Sequence, residues 1–334
     1  MCNLVITYTR TLNPLPIDID DGYVCINGWI WNFITARNPK NVGLRNYRNR
    51  YLHGRPFFFY DNAAGERFCV TCTPQYYSLL FAYYLMCVFP CQIQNLRIRI
   101  DEFECLEEIQ TWRFLHASQK LTVYDGAVSH REMYAFLERF LTNELVIECH
   151  PGKRFVYEKP ISVFKLEIAN SSWLSRYNLL NLNCSRVTLH QSTLTEADLN
   201  AFLYQWLFSD NQLSLEYIHI TGKAQERGEI GSTCGIEGFE DLDMDQVLMG
   251  LNTISGTHKR AESTTFEWHF KVPYEDGVDL RRADGKLGTV LKHQRFAECK
   301  EPFSKEFSFL FVVWQDQWPY AAPNWHIPIP RVLN

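Results

Sequence analysis

Four cysteines in the first third of the chain have a spacing that could bind zinc. Cys69, Cys72, Cys87 and Cys91 follow the pattern C-x2-C-x14-C-x3-C, and four thiolates in a tetrahedral array form a common structural zinc site. The alternation around Cys69 predicts a strand, however, and positions i and i+3 of a strand point to opposite faces. Cys87 falls in an apolar stretch that predicts a buried helix. We therefore predict reduced cysteines of the hydrophobic core, with a zinc site as the alternative.

No other motif in the sequence nominates a reaction or a cofactor. Asp241, Asp243 and Asp245 have the spacing that begins a calcium-binding loop, but Gln246 and Asn252 stand where that loop needs glycine and glutamate. The sequence contains no phosphate-binding glycine loop, no nucleophile elbow and no dinucleotide fingerprint. We expect a protein that is not an enzyme and uses no cofactor. An enzyme with an unrecognised site is the alternative.

The clearest elements lie between residues 163 and 220, where three short strands alternate with two helices. Apolar residues of the second helix recur at i, i+3, i+4, i+7 and i+8, and these are Leu199, Phe202, Leu203, Trp206 and Leu207. Thr195 and Asp198 stand at its start, in the arrangement that satisfies free N–H groups of a first helical turn. The strands alternate with a period of two.

A strand followed by a helix recurs along the middle of the chain. The shared pattern is L-x-L-x-x-(small or polar)-x-(apolar), and it begins at residues 96, 121, 166 and 187. A copy that begins at 145 departs from the pattern after His150, and the first apolar position of the last strand is 218. The intervals lie near the leucine-rich-repeat period of roughly 20–29 residues. Each strand–helix pair shows an apolar face that only a neighbour can bury. We predict an α/β fold with leucine-rich-repeat-like strand–helix repeats, a parallel sheet and helices on one side. An α/β domain with a helix on each face is the alternative.

Composition divides the chain into four regions. The predicted regions are an N-terminal β-rich part with one helix (1–90), the repeat region (91–221), a flexible loop rich in Gly, Ser and Thr (222–265), and a C-terminal antiparallel β element with a tail (266–334). Asp284-Gly285 predicts a hairpin with a two-residue turn in the last region. That turn would pair Val278 with Leu291.

Charge and apolar patterning limit the class of partner. The formal net charge of −5 and the sequence pI near 6.1 argue against nucleic acid as a partner of the whole chain. Residues 36–55 differ, with six Arg or Lys and no acid, which indicates a solvated loop or a site for an acidic or phosphorylated partner. The start lacks the pattern of a signal peptide, and the longest apolar run, 76–89, is too short to span a bilayer. We expect a cytoplasmic or nuclear protein that binds no membrane.

Several short motifs of the central and C-terminal regions match the pattern of a known family. They are Ser172-Trp173-Leu174, the runs 179–184, 186–189, 192–195 and 198–206, the ending Leu215-Glu216-Tyr217, and farther on the runs 279–286 and 311–314. In these motifs the chain resembles the nematode F-box-associated family, of the type that follows the F-box in the F-box B group and in Sdz-like proteins. The core of the resemblance covers about 160–221.

The resemblance implies a function in protein interaction. Such proteins resemble substrate-recruiting adaptors of Skp–cullin–F-box ubiquitin ligases, in which the F-box joins the ligase and the associated domain holds the target. We find no F-box helices before the family-like region, so we expect a Skp-type adaptor as a partner only if an F-box lies upstream. The alternative is a stand-alone binding or scaffold protein without ligase coupling. The target protein is unknown.

The repeat pattern also predicts where a target would bind. In an L-x-L strand the two leucine-type residues point into the core and the residue between them points outward. Read across the copies, one outward row is Arg97, Thr122, Val146, Glu167, Thr188 and His219, and the next is Arg99, Tyr124, Glu148, Ala169, His190 and Thr221. We predict a binding surface formed by Arg97, Arg99, Tyr124, Glu148, Glu167, Thr188, His190 and His219. The alternative is that the N-terminal strands or the C-terminal hairpin cover this face.

Overall fold

The computed structural model divides the chain into two compact units, Met1–His150 and Pro151–Asn334. The structure describes residues 15–20, 23–26, 29–35, 48–52, 55–61, 67–71, 74–88, 91–99, 118–124, 128–139, 142–152, 155–209, 214–223, 242–254, 277–296 and 305–314. The unit boundary falls inside the region expected to hold the repeats. The four predicted sequence regions stay predictions.

The first unit is built on a mixed sheet with two described helices. Its elements are β1 (Leu15–Asp20), β2 (Tyr23–Ile26), β3 (Trp29–Thr35), β4 (Arg48–Leu52), β5 (Arg55–Asp61), β6 (Arg67–Thr71), α1 (Pro74–Val88), β7 (Cys91–Arg99), β8 (Lys120–Tyr124), α2 (His130–Arg139) and β9 (Glu144–Ile147). The strand order is β9-β8-β7-β1-β2-β3-β6-β5-β4. Strands β1, β7, β8 and β9 run parallel. Helix α1 packs on β1, β2, β3 and β7.

The second unit combines three parallel strands with an antiparallel end. Its elements are β10 (Lys165–Ile168), α3 (Arg176–Leu180), β11 (Arg186–Ser192), α4 (Glu196–Phe208), β12 (Tyr217–Lys223), α5 (Met244–Val247), β13 (Thr253–Ile254), β14 (Val278–Arg281), β15 (Leu287–Phe296) and β16 (Lys305–Trp314). The strand order is β10-β11-β12-β16-β15-β14-β13. Strands β10, β11 and β12 are parallel, and β16 runs antiparallel to β12.

The α/β class and the parallel strands are confirmed. Both units contain mixed sheets, so the leucine-rich-repeat-like organisation itself stays a prediction. Within each unit the L-x-L positions are in register and buried. In the second unit these are Leu166, Ile168, Val187, Leu189, Ile218 and Ile220, each with 0% of its surface exposed. Burial of alternate residues on one side is what the period of two predicts.

Helix α4 confirms the helix that was predicted from the apolar stripe between Leu199 and Leu207. All five residues of its apolar stripe are buried. Asp198 accepts hydrogen bonds from the backbone N–H of Thr195 and from its hydroxyl, both at 2.9 Å, which caps the helix start as predicted. The rings of Phe202 and Trp206 pack edge-on against Phe311 of β16, with centroids 6.1 and 4.9 Å away. This helix therefore packs against β16 on one side of the sheet of its unit.

The C-terminal hairpin is confirmed, but its predicted register is wrong by one residue. Val278 pairs with Val290 instead of Leu291. Residues 283–285 form a three-residue loop, across which the Arg282 N–H donates to the Lys286 carbonyl at 2.9 Å. Gly285 takes φ 91°, a conformation that only glycine adopts at little cost and that ends many three-residue hairpin loops. The shift brings Asp279 opposite Thr289.

Part of the expected loop 222–265 is ordered by burial. Residues 242–254 contain α5 and β13, and Leu242 and Val247 expose 3% and 0% of their surface. The Asp243 carboxylate accepts from the N–H groups of Asp245 and Gln246, which caps α5. The remainder of this region lies outside the described residues. In the described part of the chain, each helix is too short or too polar to cross a membrane.

Candidate protein-binding surface

In the first unit, the strand register forms the two predicted rows. Arg97 pairs with Thr122, which pairs with Val146, and Arg99 pairs with Tyr124. The backbone N–H of Glu148 donates to the Val123 carbonyl at 2.8 Å, which continues the parallel ladder past the end of β9. The alternate residues are the buried L-x-L positions, so the two rows share the opposite face of the sheet.

Arg97 is the centre of this face. One terminal nitrogen lies 3.3 Å from a carboxylate oxygen of Glu148, and the other lies 3.8 Å from Asp20. Its guanidinium carbon lies 4.1 Å from the centroid of the Tyr124 ring. Contacts to β1, to β8 and to the residue that follows β9 hold the guanidinium, while the Arg97 side chain remains 41% exposed. A cation that is fixed and still accessible suits recognition of a partner.

Tyr124 supports Arg97 from beneath. Only 8% of its surface is exposed, because the guanidinium covers its ring. The residue was predicted as an exposed member of the surface, and the structure places it as a buried platform instead. Thr122 and Val146 are also buried, whereas Arg99 is half-buried and Glu148 is exposed. The accessible charges of the predicted rows in this unit are therefore Arg97, Arg99 and Glu148.

Two carboxylates that the sequence analysis missed belong to the same face. Asp18 and Asp20 are alternate residues of β1, which lies beside β7. Asp18 accepts a hydrogen bond from the side-chain amide of Asn95 at 2.6 Å. Burial, and then the charges of Asp20 and Asp18, raise the pKa of Tyr23 on the neighbouring strand. The alternating pattern of β1 predicts a strand. It does not predict that this strand pairs with β7, which lies more than seventy residues farther along the chain.

In the second unit, the predicted rows also form, but one end is covered. Glu167 pairs with Thr188, which pairs with His219. Glu167, Thr188 and His190 are half-buried. His219 exposes only 5% of its surface, and its Nε2 lies 2.7 Å from the Ser308 hydroxyl oxygen. The expectation of an open surface therefore fails at His219.

His190 connects the open and the covered parts of this face. Its Nδ1 lies 3.2 Å from the Thr221 hydroxyl oxygen, and its ring meets that of His219 edge-on at 6.3 Å between centroids. The next residue, Gln191, has φ 52°, which is uncommon for a residue other than glycine. A bulge in β11 at this point shifts the pairing with β12.

A cluster of apolar residues explains why this face of the sheet is buried on β12 and on the strands beyond it. Its members are Tyr217, Leu287, Leu291, Leu310, Val312 and Trp314, each at most 6% exposed. They lie on the side of the sheet opposite Phe311, which contacts α4. The sequence carried a signal for this, because 309–314 is apolar at every position, and a strand buried on both faces reads as a continuous apolar run.

The structure describes the side chains of two of the four cysteines in the C-x2-C-x14-C-x3-C pattern. Cys69 lies in β6, and its side chain is outside the described part of the structure, as is Cys72 altogether. Cys87 is exposed in α1, so the prediction of a core cysteine is wrong there. Cys91 is half-buried at the start of β7, where burial raises its pKa. Among the side chains that the structure describes, no three His, Cys, Asp or Glu residues are grouped so that they could bind a metal ion.

Two other cysteines belong to the core. Burial raises the pKa of Cys149 to about 12 and the pKa of Cys184 to about 11. Both groups are therefore neutral thiols near pH 7, a form that is neither a good nucleophile nor a metal ligand.

A family model described as F-box associated matches residues 160–220. This segment runs from the residue before Ile161 through β10, α3, β11 and α4 to the middle of β12. It contains Glu167, Thr188, His190 and His219 of the predicted surface. The resemblance drawn from the sequence motifs is confirmed by this match.

Three curated proteins of Caenorhabditis elegans are similar to this chain. E3 ubiquitin-protein ligase hecw-1 is 33% identical over 98 residues, which are 29% of this chain and 7% of that protein. The protein F59B2.8 is 21% identical over 71% of this chain and 50% of its own length. Skn-1 dependent zygotic transcript 15 protein is 25% identical over 62% of this chain and 57% of its own length.

The chain thus spans about half the length of the last two relatives and a small part of the first. No solved structure matches the chain.

Proposed function

We propose that this chain is the protein-interaction module of a Skp–cullin–F-box ubiquitin ligase, in which it holds the target protein. The F-box-associated match over residues 160–220 supports a function in ligase-linked protein interaction. One of the similar proteins, hecw-1, is by its name a ubiquitin ligase. Fold and family do not identify the target, so the argument for binding rests on the surface.

The proposal rests mainly on the charged group formed by Asp20, Arg97 and Glu148, which we call the Arg97 cluster. Asp20 of β1, Arg97 of β7 and Glu148, which follows β9, form a chain of opposite charges on one sheet face. Each of these side chains is at least 27% exposed. Charged side chains with this much exposure belong to the surface of the protein and not to its core. Mixed fixed charges provide specificity for a partner of complementary pattern.

A stand-alone binding protein without ligase coupling is the second candidate. The described residues from 15 to 99 form seven strands and one helix, and β1 pairs directly with β7. This part of the chain is therefore integrated into the sheet of the first unit. Such integration favours a role in the binding fold over a separate ligase-docking element.

Two measurements test the proposal and separate its two forms. The full chain is mixed with a purified Skp-type adaptor, and binding is measured by isothermal titration calorimetry. Proteins recovered with the chain from nematode extract are compared between wild type, Arg97→Glu and Arg176→Glu by quantitative mass spectrometry. Arg176 is an exposed arginine of α3 and provides a control with the same charge change.

We expect a set of proteins that wild type and Arg176→Glu retain and that Arg97→Glu loses. Adaptor binding in addition would favour the ligase form, and its absence would favour the stand-alone form. An unchanged set for Arg97→Glu would refute the placement of the binding surface on this face.

A further inference from the structure

Helix α4 exposes two aromatic rings on the side that faces away from its sheet. Tyr204 is 55% exposed and Phe208 is 64% exposed. They are one helical turn apart, and their ring centroids are 4.6 Å from each other. Exposed apolar side chains are ordinary when scattered singly, but a contiguous group indicates a binding site.

Met249 is a third exposed apolar residue, in a segment that is hydrogen-bonded to α4. It is the most exposed large apolar residue of the described chain, at 72%. The side-chain amide of Asn200 donates to the Met249 carbonyl at 3.0 Å and to the Val247 carbonyl at 2.8 Å. Asn200 is one turn before Tyr204, so these bonds hold the Met249 segment against α4. We call Tyr204, Phe208 and Met249 the helix patch.

The helix patch stands on a rigid base. Trp206 is fully buried and packs against Phe311 at 4.9 Å between centroids. On the side opposite Asn200, Gln205 donates to the Leu180 carbonyl at the end of α3 at 2.7 Å. Because α4 is held by the sheet beneath it and by a neighbouring segment on each side, its exposed residues are positioned before any partner binds. Such preorganisation lowers the entropic cost of association.

The two described segments that carry the helix patch are acidic. Residues 196–208 and 242–251 contain four carboxylates and no Lys or Arg, and these are Glu196, Asp198, Asp243 and Asp245. Asp198 and Asp243 cap their helices, while Glu196 lies 3.5 Å from the Asp243 N–H and links α4 to α5. Asp245 is exposed. An apolar group with a negative rim repels phosphate-rich partners such as nucleic acid and anionic membranes.

We propose that the helix patch binds a basic segment of a partner protein. Apolar side chains of that segment cover Tyr204, Phe208 and Met249, and its Lys or Arg side chains face the four carboxylates. This arrangement combines a buried apolar centre with a charged rim, as specific protein interfaces do. The site lies on α4 of the second unit, whereas the surface proposed for the target is centred on Arg97 of β7 in the first unit. It is therefore an additional docking site.

A synthetic amphipathic peptide tests the proposal directly. The probe carries leucines at i, i+3, i+4 and i+7 with lysines between them, and it is titrated into the full chain by calorimetry. One control peptide has glutamates in place of the lysines, and another has serines in place of the leucines. The protein variants are wild type, Tyr204→Ser with Phe208→Ser, Asp245→Lys, and Tyr177→Ser. Tyr177 is a matched control because it is an exposed tyrosine, at 52%, on α3.

We expect the lysine–leucine peptide to bind wild type and Tyr177→Ser equally. The Tyr204→Ser and Phe208→Ser pair should weaken binding at least about tenfold, since aromatic residues at the centre of an interface dominate its affinity. Asp245→Lys should weaken binding and reduce its salt dependence. Both control peptides should bind at least about tenfold more weakly than the probe. Thermal melting of each variant is the control for folding, and we expect each variant to melt close to wild type.

Several outcomes would overturn the assignment. Absence of binding to wild type, equal binding of the glutamate–leucine peptide, or an equal loss with Tyr177→Ser would each do so. Concentration-dependent dimerisation of wild type that the aromatic pair abolishes would identify a second copy of this chain as the occupant instead of a basic partner segment.

Discussion

The guanidinium of Arg97 lies directly against the ring of Tyr124, with its central carbon 4.1 Å from the ring centroid. The two residues come from adjacent parallel strands, in which Arg97 pairs with Thr122 and Tyr124 follows two positions later. An arginine over an aromatic face contributes about 0.5–2 kcal/mol, depending on how far the pair is removed from water. The contact lets a charged side chain cover an aromatic residue on the sheet face opposite the buried L-x-L positions.

Tyr124→Ala should destabilise the first unit. The ring is 8% exposed, and removal of a buried aromatic ring costs roughly 3–5 kcal/mol. Tyr124→Phe should stay within about 1 kcal/mol of wild type, because it keeps the ring beneath Arg97. Chemical denaturation followed by intrinsic fluorescence measures both. If Tyr124→Ala unfolds at the same denaturant concentration as wild type, the ring does not support this face.

Exchange of charge between Arg97 and Glu148 should separate stability from binding. The two side chains are 41% and 42% exposed at 3.3 Å, and an exposed ion pair contributes only about 0.2–1 kcal/mol. We expect Glu148→Arg to melt close to wild type. Arg97→Glu should lose somewhat more, because it also removes the contact with Tyr124 and places a third carboxylate beside Asp20 and Glu148. The double variant should recover part of that loss. Partner binding should be lost in all three variants, because the charge pattern is reversed or disrupted. Recovery of binding by the double variant would show that the pair matters only for structure.

Much of the local structure could be predicted, because an element that is buried on one side has apolar residues at regular intervals in its sequence. The L-x-L pairs such as Leu166 and Ile168, and the stripe of α4, are buried as their periods indicated. The cap formed by Thr195 and Asp198 could be read for a similar reason, since a hydrogen bond across one helical turn depends only on local spacing.

The features that failed depend on contacts between distant segments or on the length of a loop. Nothing in the sequence near Arg97 indicates Asp20, because their contact follows from the pairing of β1 with β7. The hairpin register shifted since Ala283 joined the loop, and a shift of one residue moves every side chain to the other face. Burial of His219 follows from strand β16, whose position beside β12 its sequence does not specify.

Gly288→Ala should destabilise the second unit through a clash. A Cβ at this position would lie 2.5 Å from Cε2 of Phe311 and 3.0 Å from Trp206, and both rings are fully buried. Overpacking of this kind costs about 1–3 kcal/mol. Gly250→Ala is the matched control, since a Cβ there meets nothing within 4 Å but the residue has φ 75°, so it measures backbone strain alone. Differential scanning calorimetry should show a larger loss for Gly288→Ala; equal losses would mean that the rings can move aside.

Trp206→Ala should be among the most damaging single changes. The side chain has 0% exposure, packs on Phe311 and lies 5.9 Å from the Arg282 guanidinium. The expected cost is roughly 3–5 kcal/mol. Tyr204→Ala on the same helix removes an exposed ring and should cost less than about 1 kcal/mol. Urea titrations of both variants measure the difference, and comparable losses would contradict the assigned burial of Trp206.

Alkaline pH should weaken the second unit through Cys184. Burial raises the pKa of this thiol from 9.0 to about 11, so the folded state keeps its proton at a pH where the unfolded chain releases it. Since the unfolded state then binds fewer protons, stability is fully present below pH 9 and falls as the pH rises from about 9 towards 11. Cys184→Ala should show a smaller decline over this range in thermal melts at matched ionic strength.

Alkylation by iodoacetamide at pH 8 provides an independent check, in which exposed Cys87 should react rapidly and Cys184 only on unfolding. Rapid alkylation of Cys184 in the native protein would show that its thiol is accessible and that the alkaline decline has another origin.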